Sequence, residues 1–147
     1  MSRLIETRRA HIRLTELLDQ EIRKNRSGSS ARELDKFHQT LDAAFYLLGW
    51  AQFEHLVRTE TNSIIEEQAR AQTIGKYAWD YMKQHLADVP VRRRLDLLFH
   101  SKPVARNKLH KNYDIRNDIT HEYKPLPPEA KDISAWLEHL QDLVDNF

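Results

Sequence analysis

A single apolar stripe, held at helical spacing from Leu34 to about Gln72, limits how this chain can fold more than any other feature. Leu34, Phe37, Leu41, Ala44, Leu48 and Ala51 recur every three or four residues. Phe45, Phe53 and Leu56 widen the band, and Ile64 and Ile65 continue it. That period belongs to an α-helix with one face turned to a core. At 1.5 Å per residue, roughly forty residues would reach about 60 Å. So long an element in a chain of 147 residues predicts a bend or break, and Gly49 is the candidate for it.

The remaining segments read the same way. The chain has three glycines and no Val/Ile/Thr alternation of four or more residues, so helices are expected and strands are not. A first helix is expected over Ser2 to Arg26, with Ile5, Ile12, Leu18 and Ile22 on a broad inner face and Leu14 and Leu17 at its edges. Ser27-Gly28-Ser29-Ser30 reads as a loop. Ser30 and Glu33 have the spacing of a capping box for the long helix. Further helices are expected over Lys76 to Ala87, Val91 to His100, Val104 to about Tyr123, and Glu129 to Asn146. Pro90, Pro103 and the Pro125-Leu126-Pro127-Pro128 run separate the last four. In the last helix Ile133, Trp136, Leu137, Leu140 and Val144 face inward. The expected architecture is one all-α domain over residues 1–147, a bundle of four main helices plus one or two short ones.

Composition removes several classes of function. The chain has no cysteine, which excludes a disulfide scaffold, a thiol nucleophile and a Cys-ligated zinc site. The start is charged from Arg3 on and no apolar core of a signal peptide follows. No stretch approaches a membrane span, and a cytoplasmic protein is expected. Eight histidines are scattered without a His-Glu-x-x-His pattern, so no metal is expected. There is no Gly-rich phosphate loop and no Gly-x-Ser-x-Gly elbow, and no cofactor is implied.

Charge is balanced overall, at a formal net of +1, but unevenly placed. Arg92 to Lys124 holds nine Lys/Arg against four Asp/Glu, and Pro125 to Phe147 holds one against five. This pattern fits an anion-binding face beside a solvated helix. It also fits plain complementarity between neighbouring helices. Arg92, Arg93, Arg106 and Lys108 are the candidate RNA-backbone contacts, since phosphate binding is largely electrostatic. The Arg92-Arg93-Arg94 triplet points three ways on a helix, so at most two of its members share a face.

The chemistry concentrates in Ile115-Arg116-Asn117-Asp118-Ile119-Thr120-His121-Glu122-Tyr123. Asn117 and His121 are one helical turn apart and share a face. Arg116 and His121 are five residues apart, about 140° around the axis. One helix therefore does not aim both at one atom, and a second copy of the chain would complete such a site. The residue types suit cleavage of an RNA phosphodiester. Arginine clamps a phosphate and stays charged. Histidine exchanges a proton with a 2′-hydroxyl or a leaving oxygen. Asparagine can orient the imidazole or bond the phosphate. His121 lies near a helix C-terminus, whose dipole favours imidazolium.

This segment resembles the HEPN superfamily, whose members are small helical bundles, many of them metal-independent ribonucleases. The signature there is an Arg, commonly followed by Asn, and a His after four to six residues. Arg116, Asn117 and His121 match it with four residues between Arg and His. His121-Glu122-Tyr123 extends the match to Arg-x4-His-x-Tyr, a form typical of HEPN toxins paired with minimal nucleotidyltransferase antitoxins. The resemblance implies a homodimeric endoribonuclease acting as a toxin or defence effector. Arg116, Asn117 and His121 would be its catalytic residues and Tyr123 the acceptor of AMP from the antitoxin. Trp50-Ala51-Gln52-Phe53-Glu54 also resembles other branches of the superfamily, and Glu54 reads either as a partner of Arg116 or, more simply, as a solvated position or a structural ion pair. The competing expectation is a non-catalytic HEPN-like module that binds RNA or protein. Trp50, Trp79 and Trp136 sit in helical stripes and read as core residues rather than base-stacking platforms.

Overall fold

The computed structural model describes residues 3–24 and 29–147. Six α-helices account for most of them: α1 (Arg3–Lys24), α2 (Ser29–Arg70), α3 (Lys76–Gln84), α4 (Val91–Leu98), α5 (Pro103–Glu122) and α6 (Ile133–Asp145). Short 3-10 turns at Leu86–Asp88 and Pro128–Ala130 lie between them. Among the described residues there is no strand, so the chain is all-α, with four longer helices and two short ones. No helix of the described residues is long and apolar enough to cross a membrane.

Helix ends follow local chemistry. Pro103 opens α5 at a position where its missing N–H costs nothing. Asp132 caps α6, its Oδ1 accepting from the Ala135 N–H at 3.0 Å. The helix expected from Glu129 therefore starts at Ile133, after the 3-10 turn. Of the loop expected over residues 27–30, residues 27 and 28 lie outside the described residues, while 29 and 30 already belong to α2. Ser30 is already inside α2 rather than its cap.

Packing gathers the chain into two compact units. The first takes residues up to Phe53 and from Tyr113 to Asn146, and the second takes Glu54 to Asn112 with Phe147. In the first unit α1 runs along α6. Arg8 donates to Ser134 Oγ at 3.1 Å and pairs with Glu138 at 3.0 Å. Leu4, Tyr46, Trp50, Phe53, Ile133, Leu137 and Leu140 form its core. Trp136 stacks on two rings of α2, 4.9 Å from Tyr46 and 6.3 Å from Trp50 by centroids, its plane nearly parallel to that of the latter. In the second unit Val57, Ile65, Val91, Leu95, Phe99 and Leu109 are buried.

Two expectations need correction. First, α2 is continuous for 42 residues, with no break at Gly49. Gly49 is buried for another reason: a Cβ there would stand 2.4 Å from Leu137 Cδ2, so glycine admits α6 against α2. Second, the inner faces of α1 and α2 are turned from the expected ones. Phe37, Ala44, Leu48 and Ala51 are exposed, while Asp42, Tyr46, Gly49, Trp50, Phe53, Val57, Thr61 and Ile65 make the inner face. On α1, Leu4, Thr7 and His11 are buried and Ile12 is exposed. The cause is polar. His11 Nε2 meets Asp42 Oδ1 at 2.8 Å and Thr7 donates to Gln52 at 2.9 Å, so polar side chains are buried in pairs on this face. A reading of apolar spacing alone misses such a face.

Candidate functional site

The motif residues occupy the last two turns of α5, in the first unit. Tyr113 anchors this end: its ring lies 5.8 Å from Trp50 and it is followed one turn on by Arg116. The Arg116 guanidinium sits 6.0 Å from the Tyr113 ring centroid, within cation–π range. A ladder of rings, Tyr46, Trp136, Trp50 and Tyr113, thus leads from the core to Arg116. Arg116 Nη1 also donates to Asn117 Oδ1 at 2.8 Å. The carboxamide oxygen is therefore spent on the arginine, and the arginine is held half-buried with a fixed orientation. Thr120 Oγ1 donates to the Arg116 carbonyl at 2.8 Å, which keeps its hydroxyl on the helix.

His121 and Tyr123 lie at the exposed end. Among the described residues no hydrogen bond joins His121 to Arg116 or Asn117. The single chain brings Arg116 and Asn117 together and leaves the imidazole open to solvent. Tyr123 ends the helix at φ 54°, the one positive φ of a non-glycine residue among those described. Glycine or asparagine is the usual occupant of such a helix-terminal position, and a ring-bearing residue costs roughly 1–2 kcal/mol there. The turn leaves the Tyr123 side chain 90% exposed. Its closure is built by the Lys124 N–H, which reaches back to the Asp118 carbonyl at 3.3 Å. Lys124 Nζ adds contacts to Glu122 at 2.6 Å and Asp118 at 3.6 Å. The Glu122 hydrogen bond first, with Asp118 helping, holds that ammonium above its ordinary range.

The four candidate RNA-backbone cations, Arg92, Arg93, Arg106 and Lys108, belong to the second unit. Arg93 is exposed and 3.4 Å from Asp96. Lys108 is exposed and Arg106 half-buried on α5. Arg92 is engaged with His110, its Nη1 donating to Nδ1 at 3.2 Å, and His110 Nε2 in turn donates to Asp96 Oδ1 at 2.8 Å. A guanidinium always donates, so Nδ1 of His110 accepts from Arg92 and Nε2 faces Asp96. The His110 hydrogen bond chiefly, with Arg93 and Arg106 nearby, holds the Asp96 carboxyl below the usual range. The third arginine of the triplet has a different role. Arg94 is buried and donates to Thr61 Oγ1 at 2.8 Å, Asn62 Oδ1 at 2.7 Å and the carbonyls of Leu86 and Val89. Burial first, then the charge of Arg58, lowers its guanidinium pKa from the ordinary value.

Glu54 forms an ion pair with Arg58 one turn on, at 2.8 Å, which is its structural reading rather than the pairing with Arg116. Trp50 and Trp136 are core residues and Trp79 is half-buried. Two features went unread in the sequence. Tyr113, at the i−3 position from Arg116, carries the ring contact, and that spacing was the available signal. The Asp96–His110 pair joins α4 to α5 across fourteen residues, and nothing local announces it. Among the described residues no group of three or more His, Asp or Glu side chains is placed to hold a metal ion. No family model matches the chain, and neither the curated proteins nor the solved structures give a significant match.

Proposed function

We propose that this chain is a metal-independent endoribonuclease of the HEPN type that works as a homodimer. The observation that carries the reading is the Arg116-Asn117-x3-His121-x-Tyr123 segment at the free end of α5, with its arginine braced and its histidine open. A 2′-hydroxyl of the substrate attacks the adjacent phosphorus and the 5′-oxygen leaves. His121 takes the hydroxyl proton or supplies one to the leaving oxygen. The Arg116 guanidinium faces the growing charge on the phosphoryl oxygens. Its bond to Asn117 and its place over Tyr113 limit its motion, so little reorganisation is needed when charge develops. The products are a 2′,3′-cyclic phosphate and a 5′-hydroxyl. Tyr123, 90% exposed beside His121, is the accessible hydroxyl on which a partner nucleotidyltransferase would place AMP, silencing a toxin or defence effector. Arg92, Arg93, Arg106 and Lys108 are proposed as contacts to the RNA backbone.

One observation favours a second reading, a non-catalytic RNA- or protein-binding module: Arg116 and His121 share no bond within one chain. The decisive experiment incubates the protein with total RNA and with tRNA in EDTA, beside an Arg116→Ala/His121→Ala variant of equal helicity. Cleavage by the wild type alone supports the ribonuclease. No cleavage by either, with an unmodified Tyr123 mass, favours the binding module. Equal cleavage by both removes the motif from the chemistry.

A further inference from the structure

Helix α3 turns rings towards water, where the rest of the chain mostly buries them. Tyr46, Trp50, Phe53 and Phe99 are at most 1% exposed, whereas Tyr77 and Tyr81 are 85% and 66% exposed. Four residues separate Tyr77 from Tyr81, and four more separate Tyr81 from His85, the C-cap of α3. The three rings therefore follow one side of the helix, one per turn. His85 lies 4.5 Å from the Tyr81 ring by centroids, and its Nδ1 is 3.6 Å from Asp88 Oδ2, so that end of the ladder is already held. Ala78 and Gln84, both exposed, complete the face, and Trp79 and Met82, both half-buried, take the opposite side. Ile74, three residues before Tyr77, is fully exposed as well. Rings gathered on one exposed face mark a contact surface rather than the scattered apolar residues of an ordinary exterior.

We propose that the Tyr77–Tyr81–His85 ladder is a stacking platform for the unpaired bases of single-stranded RNA. The make-up of the face argues for bases. Tyrosine and histidine each offer a flat π-face, which any unpaired base matches whatever its sequence. The Gln84 amide stands on the same side and is able to bond a base edge. Ile74 is the one branched aliphatic side chain there, whereas the exposed face of α1 and α2 is built of Leu14, Leu17, Phe37 and Leu48. Charge argues the same way. The second unit, to which α3 belongs, carries eleven Lys/Arg against seven Asp/Glu, while the first carries twelve against fifteen. Of those eleven cations only Arg94 is buried. On α3 itself Lys76 and Lys83 stand against one carboxylate, Asp80, and the Asp88 carboxylate faces His85. A polyanion is therefore attracted to this unit and repelled by the other. The proposed backbone contacts Arg92, Arg93, Arg106 and Lys108 lie in the same unit as the rings. Cations hold phosphates and rings hold bases, which is the usual division of labour in binding a single strand. A base inside a duplex has no face to offer, so the platform selects unpaired segments.

This inference rests on the reading of the chain as a protein that acts on RNA, and it narrows the substrate to single strands. It is tested by binding, without cleavage. The probe is a short labelled 2′-O-methyl oligouridine, which has no free 2′-hydroxyl to attack the phosphorus, and fluorescence anisotropy with the full chain reads its affinity. Tyr77→Ser/Tyr81→Ser is expected to bind about thirtyfold more weakly, about fivefold for each stacked ring lost. The slope of affinity against salt is expected to stay the same, because no cation is removed. Tyr77→Phe/Tyr81→Phe keeps the rings and is expected to bind like the wild type. Tyr77→Ser alone, at the more exposed position, stands in if the double variant loses helicity, with a loss of about fivefold. A hairpin duplex of the same chemistry is expected to bind more weakly than the single strand. A wild-type chain that does not bind the oligonucleotide overturns the proposal. So does a folded Ser variant that binds as tightly as the wild type, a Phe variant that loses as much as the Ser variant, or a duplex that binds equally well. Cleavage of unmodified RNA is scored separately. Ring-dependent binding in a chain that never cleaves keeps the platform and removes the ribonuclease. Cleavage by a chain whose binding ignores the rings removes the platform and keeps the ribonuclease.

Discussion

Arg94 sits in a run of three arginines, and it is the one of the three that is buried. Its guanidinium is buried among Thr61, Asn62 and backbone carbonyls of the second unit. Replacing it by Met would leave several buried acceptors without a donor, and the expected loss is about 3 kcal/mol or more, read from urea unfolding. Arg93→Met, on the exposed side, is expected to change stability by less than about 0.5 kcal/mol. Asp96 carries a pH signature. Its carboxyl is held below the usual range by His110. It therefore adds stability above the unfolded value of about 3.9, and that contribution fades as pH falls through the lower folded value. Asp96→Asn is expected to flatten the acid limb of a stability-against-pH curve, and an unchanged limb would exclude the His110 contact. Tyr46 gives the opposite limb: burial pushes its phenol well above the ordinary range. Its contribution is present below about pH 10 and is lost above it, because only the unfolded chain ionises there. Phenolate absorbance should show one of the five tyrosines silent until unfolding.

Helices were legible in the sequence, and their faces were not. Spacing, the scarcity of glycine and the proline breaks located every one of the six helices to within a few residues. The inner face of α6 was equally plain, because Ile133, Trp136, Leu137 and Leu140 have polar neighbours on the opposite side. On α2 the first half carries apolar residues on two faces, so spacing alone had no means of choosing between Phe37/Leu48 and Tyr46/Trp50. The deciding residues, His11, Thr7 and Asp42, are polar and pair across helices. The motif was legible as residue types in order, but the bond of Asn117 to Arg116 was not, since it depends on rotamers. Gly49 offers a test at this scale. Ala at an exposed helical site gains about 1 kcal/mol over Gly. At Gly49 the new methyl would meet Leu137, and the expected net effect is a loss of about 1–3 kcal/mol. Leu137→Ala in the same chain should remove most of the penalty specific to Gly49→Ala, as a double-mutant cycle would report.

At the scale of the molecule, the two units use the chain differently. The second is one continuous stretch plus the final residue, whereas the first is assembled from both ends of the sequence. Closing the first unit across the intervening segment, roughly sixty residues, costs on the order of 4 kcal/mol of chain entropy before any contact is made. The rings that repay it are Tyr46 and Trp50 on one side and Trp136 on the other. Those partners are ninety residues apart between Tyr46 and Trp136. At 5–20 residues per second, a ribosome delivers the second about 5–20 s after the first. During that interval Tyr46 and Trp50 lack the ring that stacks on them in the finished fold. A message cut short before Trp136 therefore yields a product whose Tyr46 and Trp50 rings lack the partner that α6 supplies, fit for chaperone capture and degradation.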